Sequence, residues 1–381
     1  MRRGGRPLRI ALDAHTVGRR QTGNERYVVE LGNALAARDD VEVIALLDEA
    51  TAWPVDGAAH RPSIVSLQAQ RPQLRIPFEL PVAVRRARAD LLQVNYVAPP
   101  VAGVPVVTVV HDLSFEDLPE HFPLRTRLRL KLLVRLAVRQ SAAVICVSRF
   151  TRDRVIAIYG TPAERVHAVP EGVNRRWRPL AADEIGDRLA ALDLPKRFVL
   201  AVGSDHPRKN LPRLVEALAK VRGDGQSDVE LLLCGPRGLS LAEMADAVAA
   251  NEASTWVRHL GYVDDDLLQA LYCAAGVVAY PSLYEGFGLP ALEALACGAL
   301  LVTSNTSSLP EVCGDAAVLV DPRDTGAIAA GIRTALTDDM LRARLRDRGP
   351  RHAAGFSWAD AAEATVGVYH AALAERPARS R

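Results

Sequence analysis

The sequence predicts an α/β fold of two doubly wound parallel domains facing each other across a cleft. Three observations carry this. Short apolar runs alternate with longer stretches of helical period, the rhythm of strand–helix–strand units. The rhythm stops near Pro170 and restarts with the run at 198–202. The Gly-rich and charged segments fall just after apolar runs, where ligands bind in such sheets.

Residues 8–12 read as the first strand, and 25–38 as a helix after a Gly-containing loop. Strands follow at 41–47, 91–94 and 104–110, then a helix at 124–139 and a strand at 143–147. The second series runs strand 198–202, helix 211–221, strand 229–234, helix 267–274 and buried strand 276–279. It ends with helix 290–297, strand 299–303 and helix 327–336. Residues 171–179, with Gly172, read as the linker. This puts the first domain at 1–174 and the second at 175–358. Residues 359–381 are left as a C-terminal helix packing back toward the first domain, with the polar end 375–381 frayed.

A chain of 381 residues has room for two domains, and 49% hydrophobic residues allow a core in each. The charged fraction of 24% is that of a soluble protein. No apolar run reaches the ~18 residues of a membrane span. The basic start is followed at 8–12 by an apolar run that is too short for a signal peptide and carries Arg9. The chain is therefore expected in the cytoplasm. Its five cysteines (Cys146, Cys234, Cys273, Cys297 and Cys313) are scattered and form no C-x-x-C pair. They read as small core residues in a reducing compartment, not a zinc site or disulfide framework.

Charge divides unevenly. Residues 1–176 hold 26 Lys+Arg against 18 Asp+Glu, a net of +8, and the rest 21 against 27, a net of −6. A basic first half suits an anionic partner such as a lipid surface or a phosphorylated acceptor, or it is ordinary Arg-rich composition. In the helix at 124–139, Arg127, Lys131, Arg135 and Arg139 recur every four residues beside Leu128, Leu132 and Leu136. Such a basic amphipathic helix can rest on anionic lipid, which would place the protein at the inner face of a membrane. The plainer alternative is an outer helix packed on the sheet with solvated arginines.

The most informative segment is Pro281-Ser-Leu-Tyr-Glu-Gly-Phe-Gly-Leu-Pro-Ala-Leu-Glu293. A buried strand ends near Tyr280, and a Gly-rich loop leads to Pro290, whose fixed φ suits a first helical position. Such a loop brings backbone N–H groups and a helix N-terminus against an anion such as a diphosphate. Glu285 lies on the loop. Glu293, one turn into the helix, suits ribose hydroxyls better than phosphates, which would repel it. In Gly203-Ser-Asp-His-Pro-Arg-Lys-Asn210, Arg208 and Lys209 follow a strand end at the start of a helix. Two cations there suit a leaving diphosphate, whose charge grows as its bond to the sugar breaks. His111-Asp112 closes another buried strand, and Thr22-Gly23-Asn24 joins the first strand to the first helix, where Gly23 permits close backbone approach.

The Glu285-to-Glu293 segment resembles the E-x7-E signature of glycosyltransferase family 4, a retaining, metal-independent family with the GT-B fold of two Rossmann-like domains. Thr303-Ser-Asn-Thr-Ser-Ser-Leu-Pro-Glu-Val312 and Gly314-Asp-Ala-Ala317 resemble it too, and the likeness runs from about residue 8 to 360. The resemblance implies that Glu293 holds the donor ribose and Glu285 the sugar hydroxyls. The backbone at Gly286, Phe287, Gly288 and Leu289 would meet the diphosphate or sugar, with Gly203 and Lys209 beside it. Many members carry an arginine directly after that glycine, where this chain has Ser204, so the role passes to Arg208. His111 would bond a donor-sugar hydroxyl and border the acceptor, with Asp112 fixing its loop. Gly23 would approach the donor phosphates and the acceptor, although Asn24-Glu25 stands where a small or apolar pair is frequent. The backbone of Tyr262 and Val263 would read the base. Asp264-Asp265-Asp266 contains a D-x-D, which binds metal in other glycosyltransferases, but here it opens a helix as cap and dipole partner.

The resemblance thus implies transfer of mannose or glucose from a nucleotide-diphosphate donor to a glycan or lipid-linked acceptor. GDP-mannose is the first expectation for the donor and UDP-glucose the second, with neither metal nor nucleic acid. A catalytically silent sugar-nucleotide binder, or another enzyme of the same fold such as a phosphorylase, is the alternative.

Overall fold

The computed structural model describes residues 6–19, 22–48, 51–54, 60–69 and 71–374, so the expected fraying at 375–381 lies outside the described residues. The chain divides into two compact units, one within 1–172 and 357–381, the other 173–356.

Seven parallel strands form the sheet of the first unit. They are β1 (Leu8–Asp13), β2 (Val41–Asp48), β3 (Ser63–Leu67), β4 (Leu91–Asn95), β5 (Val106–Val110), β6 (Ala143–Cys146) and β7 (Val166–Ala168). Their order is β3-β2-β1-β4-β5-β6-β7. The central strands β4 and β5 are buried at every position, as a sheet covered by helices on both faces requires. Helices Leu80–Arg86 and Leu124–Gln140 cover the face that carries Ala11, Leu92, Val94 and Val106. Helices Thr22–Ala36 and Trp358–Ala374 pack together on the other, where the Tyr369 hydroxyl donates to Gln93 Oε1 at 2.6 Å.

The second unit has six parallel strands: β8 (Arg197–Val202), β9 (Val229–Cys234), β10 (Val257–Gly261), β11 (Val277–Tyr280), β12 (Leu301–Ser304) and β13 (Val318–Val320). Their order is β10-β9-β8-β11-β12-β13. In each sheet the winding reverses once, at β1/β4 and at β8/β11. Loops leaving the carboxyl ends of those strands part in opposite directions and open a crevice.

The strands and helices read from the periodicity are all present, within a few residues of their expected ends. The outer strands β3, β7, β10 and β13 are not readable from the sequence. In β3 the burial is mostly exposed or intermediate, so it has no apolar run to betray it. The division between the units, at 172/173, falls within the stretch 171–179 read as the linker, where Glu171 and Trp177 are buried. All five cysteines are free thiols, four buried and Cys273 half-buried. Among the described residues no helix is long and apolar enough to cross a membrane.

Candidate active site

The site of the second unit lies at its switch point. The loop after β8 tightens into one turn of 3₁₀ helix, Pro207–Lys209, and Asn210 turns left-handed (φ 61°) to start the helix Leu211–Gly223. Asn210 Nδ2 donates to the carbonyls of Pro281 (3.0 Å) and Pro322 (2.7 Å), and the Leu283 amide donates to the Arg208 carbonyl at 2.7 Å. These bonds tie the loop after β8 to the loop after β11.

The tie brings three charged side chains together. Lys209 Nζ donates to Glu285 Oε1 at 2.6 Å and to the Tyr280 hydroxyl, and it lies 4.6 Å from the centre of the Tyr280 ring. Arg208 Nη1 donates to Glu285 Oε2 at 2.8 Å and to the Tyr284 carbonyl at 3.1 Å. Lys209 and Glu285 are buried, and such charges persist only when paired. Burial pushes the Glu285 carboxyl up, but Arg208 and Lys209 outweigh it and hold it down at about 2. The same burial raises the Tyr280 hydroxyl well above its ordinary range, so it stays protonated.

Glycines let the backbone close in. Gly203 adopts φ 135° at the end of β8, and Gly288 adopts φ 105° before the helix Leu289–Ala296. A Cβ on Gly235 would lie 2.1 Å from the Gly203 carbonyl oxygen, and one on Gly238 would lie 2.2 Å from that of Asp205. The hydroxyls of 303–308 bind the acidic loop from behind. Thr303 donates to the Tyr280 carbonyl, Ser304 to that of Ser282, and Ser308 to those of Glu285 and Phe287. Ser307 Oγ accepts the Glu285 amide at 3.0 Å. Phe287 is buried edge-on against Phe356.

Glu293 is buried in that helix, where Tyr272 donates to its Oε2 at 3.4 Å. Gly261 ends β10, after which Tyr262 is exposed and Val263 half-buried. The Asp triplet acts as a cap. Asp264 Oδ1 accepts the Leu267 amide at 2.8 Å, while Asp265 and Asp266 pair with Arg176.

In the first unit the carboxyl ends of β1, β4, β5 and β7 place Asp13, Asn95, His111 and Glu171. His111 is buried, with Nε2 2.8 Å from Asn95 Oδ1 and Nδ1 3.6 Å from Glu171 Oε1. Asn95 Nδ2 points to the Asp13 carbonyl at 3.4 Å, so its Oδ1 faces the histidine and Nε2 carries the hydrogen. Both ring nitrogens thus face protein partners, and a sugar hydroxyl at Nε2 has to share it with Asn95 or displace that side chain. Tyr27 stands edge-on to the ring at 4.7 Å. Burial raises the Glu171 carboxyl, against the pull of His111. Asp112 Oδ1 accepts the Ser114 amide and hydroxyl at 3.0 and 2.8 Å, fixing the loop. Gly23 lies in the first turn of helix Thr22–Ala36, with open space where a Cβ would stand.

Comparison with known proteins settles the family. A model described as Glycosyl transferases group 1 matches residues 188–352, and one described as Glycosyltransferase Family 4 matches residues 22–177. The O-antigen chain mannosyltransferase B of Escherichia coli is 35% identical over 265 residues, which are 69% of this chain and 69% of that protein. This chain belongs to the group 1, family 4 glycosyltransferases. The serotype-specific mannosyltransferase WbdA of Escherichia coli is 30% identical over 230 residues, 59% of this chain but only 28% of that longer protein. Two solved structures share the fold. Sucrose-phosphate synthase of Thermosynechococcus elongatus superposes with a TM-score of 0.77 at 24% identity, covering 97% of this chain and 100% of that one. HepE of Anabaena, solved with UDP and glucose, gives 0.74 at 21% identity over 96% and 99%. The transferase therefore has the GT-B fold.

Sequence reading of this glycosyltransferase missed several site residues. The sequence marks Tyr280 only as a strand end, and Asn95 closes a strand no motif marks. Glu171 falls in the expected linker, although a carboxylate just past the last strand of a sheet sits where side chains converge. Gly235 and Gly238, a Gly-x-x-Gly after β9, were a readable sign of close backbone approach.

Proposed function

We propose that this glycosyltransferase moves mannose from GDP-mannose to a glycan or lipid-linked acceptor, retaining the anomeric configuration and using no metal ion. The observation that carries this is the Arg208–Lys209–Glu285 cluster at the β8/β11 switch point. Two cations converge there on one carboxylate, leaving the three groups with net positive charge beside a glycine-opened loop and a helix N-terminus. A diphosphate fits that field. Asp264, Asp265 and Asp266 are engaged as a cap and in pairs with Arg176, which supports charge neutralisation by side chains instead of a D-x-D metal.

Glu285, held strongly acidic between two cations, is a poor nucleophile. Retention is then best served by a same-face route. The acceptor oxygen bonds to the anomeric carbon as the bond from that carbon to the diphosphate oxygen breaks, and the acceptor proton passes to a phosphate oxygen. Arg208 and Lys209 stabilise the growing charge, Glu293 holds the ribose, and Glu285 and His111 orient the sugar. Glu171 positions the His111 ring.

The relatives' names favour mannose, and the likeness to UDP-bound HepE makes UDP-glucose the second donor to test. A thermal-shift screen of GDP-mannose, UDP-glucose and dTDP-glucose, followed by an assay for released nucleoside diphosphate, decides between them. Binding with no release in the presence of any acceptor would mark a silent binder and overturn the proposal. Loss of turnover in EDTA, restored by manganese, would overturn its metal-free part.

A further inference from the structure

We propose that Tyr280 is a positioning residue for the transfer step, holding Lys209 by its hydroxyl and its ring without cancelling the charge that the leaving diphosphate meets. This rests on Lys209 serving the diphosphate and Glu285 the sugar, as proposed above.

Tyr280 ends β11 and is only 3% exposed. The sheet sets its place. It pairs with Thr303 of β12, whose hydroxyl donates back to the Tyr280 carbonyl at 2.8 Å. Lys209 Nζ donates to the Tyr280 hydroxyl and lies 4.6 Å from the centre of its ring. The lysine stem also lies against Gly203, where a Cβ would come 3.3 Å from Lys209 Cε. The ring reaches the donor loop as well, for a Cβ on Gly288 would lie 4.0 Å from Tyr280 Cε1.

Lys209 thus has two anchors, and they differ in kind. Glu285 holds it at 2.6 Å with a full negative charge. That carboxylate has to turn toward sugar hydroxyls when the donor binds, and while it stays on Lys209 it weakens the field at the diphosphate. Tyr280 holds through a hydroxyl dipole and a ring quadrupole, which attract an ammonium and leave its charge intact. The hydroxyl stays neutral, because burial and then the Glu285 charge push its ionisation well above the ordinary tyrosine range. Its hydrogen is donated to Glu285, which leaves the lone pairs of the oxygen to the ammonium. Tyr280 is therefore the anchor that persists as Glu285 changes partners. Its effect belongs to the step at which charge grows, and a tyrosine kept only for packing would do nothing that phenylalanine cannot.

The test is a double-mutant cycle of Tyr280→Phe and Lys209→Ala in the full chain. It uses GDP-mannose or UDP-glucose, whichever the wild type turns over, at fixed acceptor, and reads the GDP or UDP released. Tyr280→Phe keeps the ring and its packing against Gly288, so circular dichroism should match the wild type. It should lower kcat about tenfold, the size of a hydrogen bond to a buried charge, and change affinity for GDP or UDP less than about twofold. With Lys209 already replaced by Ala, the same change should leave kcat as it is. An equal loss in both backgrounds would make Tyr280 a structural residue and overturn the proposal. So would full kcat in Tyr280→Phe, or a loss carried by affinity alone. None of these results touches the reading of the site so long as Lys209→Ala itself slows turnover. If Lys209→Ala does not, or the wild type releases nothing with any acceptor, that reading falls and the role of Tyr280 falls with it.

Discussion

Glu285 takes hydrogen bonds from Arg208 and Lys209 at once, so removing either cation changes both the field at the switch point and the hold on the carboxylate. Lys209 should matter most as the diphosphate leaves, because negative charge grows at that step. Lys209→Ala is expected to raise the barrier by about 2–4 kcal/mol in kcat, more than it weakens donor binding. On the proposed function Glu293 would hold the ribose in ground and transition states alike, so Glu293→Ala should raise the donor KM with a smaller fall in kcat. Steady-state kinetics at fixed acceptor separates the two, and a reversed pattern would exchange their roles. Glu171 gives a pH-dependent case. Its carboxyl is raised on folding by burial, so its contribution to stability is full below the ordinary carboxylate range and is lost as pH rises through its folded value. Glu171→Gln should therefore gain Tm over wild type near neutral pH, with the gap closing toward pH ~4. Melts across that range check it, and a variant less stable at every pH would show that the contact with His111 wins over burial.

At the scale of elements, legibility followed burial and period. Strands such as β5, all Val and Thr and buried throughout, announce themselves, and so does the strand–loop–helix from Tyr280 to Glu293. The outer strands do not, because half-exposed residues leave no apolar run. The Arg208–Lys209–Glu285 cluster was unreadable as a cluster for another reason. Its members lie some 76 residues apart, and only the sheet order, which sets β8 beside β11, brings them together. Two glycines separate packing from function at this scale. A Cβ at Gly235 meets the Gly203 carbonyl oxygen at 2.1 Å, in a backbone with φ 141°. Gly235→Ala should cost about 2–3 kcal/mol in chemical denaturation and lower kcat by shifting the loop that carries Lys209. Gly23 has open space in a helical turn, so Gly23→Ala should add about 0.5–1 kcal/mol of stability. If its backbone approaches a ligand, kcat/KM should fall all the same. Unchanged kinetics would leave Gly23 a helix residue and nothing more.

At the scale of the whole chain, the last helix completes the first unit. The chain leaves the first unit at Gly172, builds the second, and returns with Trp358–Ala374. The return is tight, for a Cβ on Gly172 would lie 2.2 Å from the Trp358 amide nitrogen. Trp358 stands edge-on to Tyr27 at 5.9 Å, and Tyr27 stands edge-on to His111. The final helix therefore supports the wall against which the candidate histidine rests, although it is the most distant part of the sequence from it. Ending the chain after Phe356 should strip that support while leaving all six strands and the core of the second unit intact. Calorimetry should then show the first unit's transition lost or moved to lower temperature and the second's retained. Nucleoside diphosphate should still bind, and transfer should stop. A gentler probe is Tyr369→Phe, which leaves the buried Gln93 Oε1 without its donor and should cost about 1–3 kcal/mol in the first unit alone. Diphosphate affinity should not change with it. If affinity fell in step with the first unit's stability, the two cores would be one cooperative system, and the proposal that the second unit binds the diphosphate by itself would have to be given up.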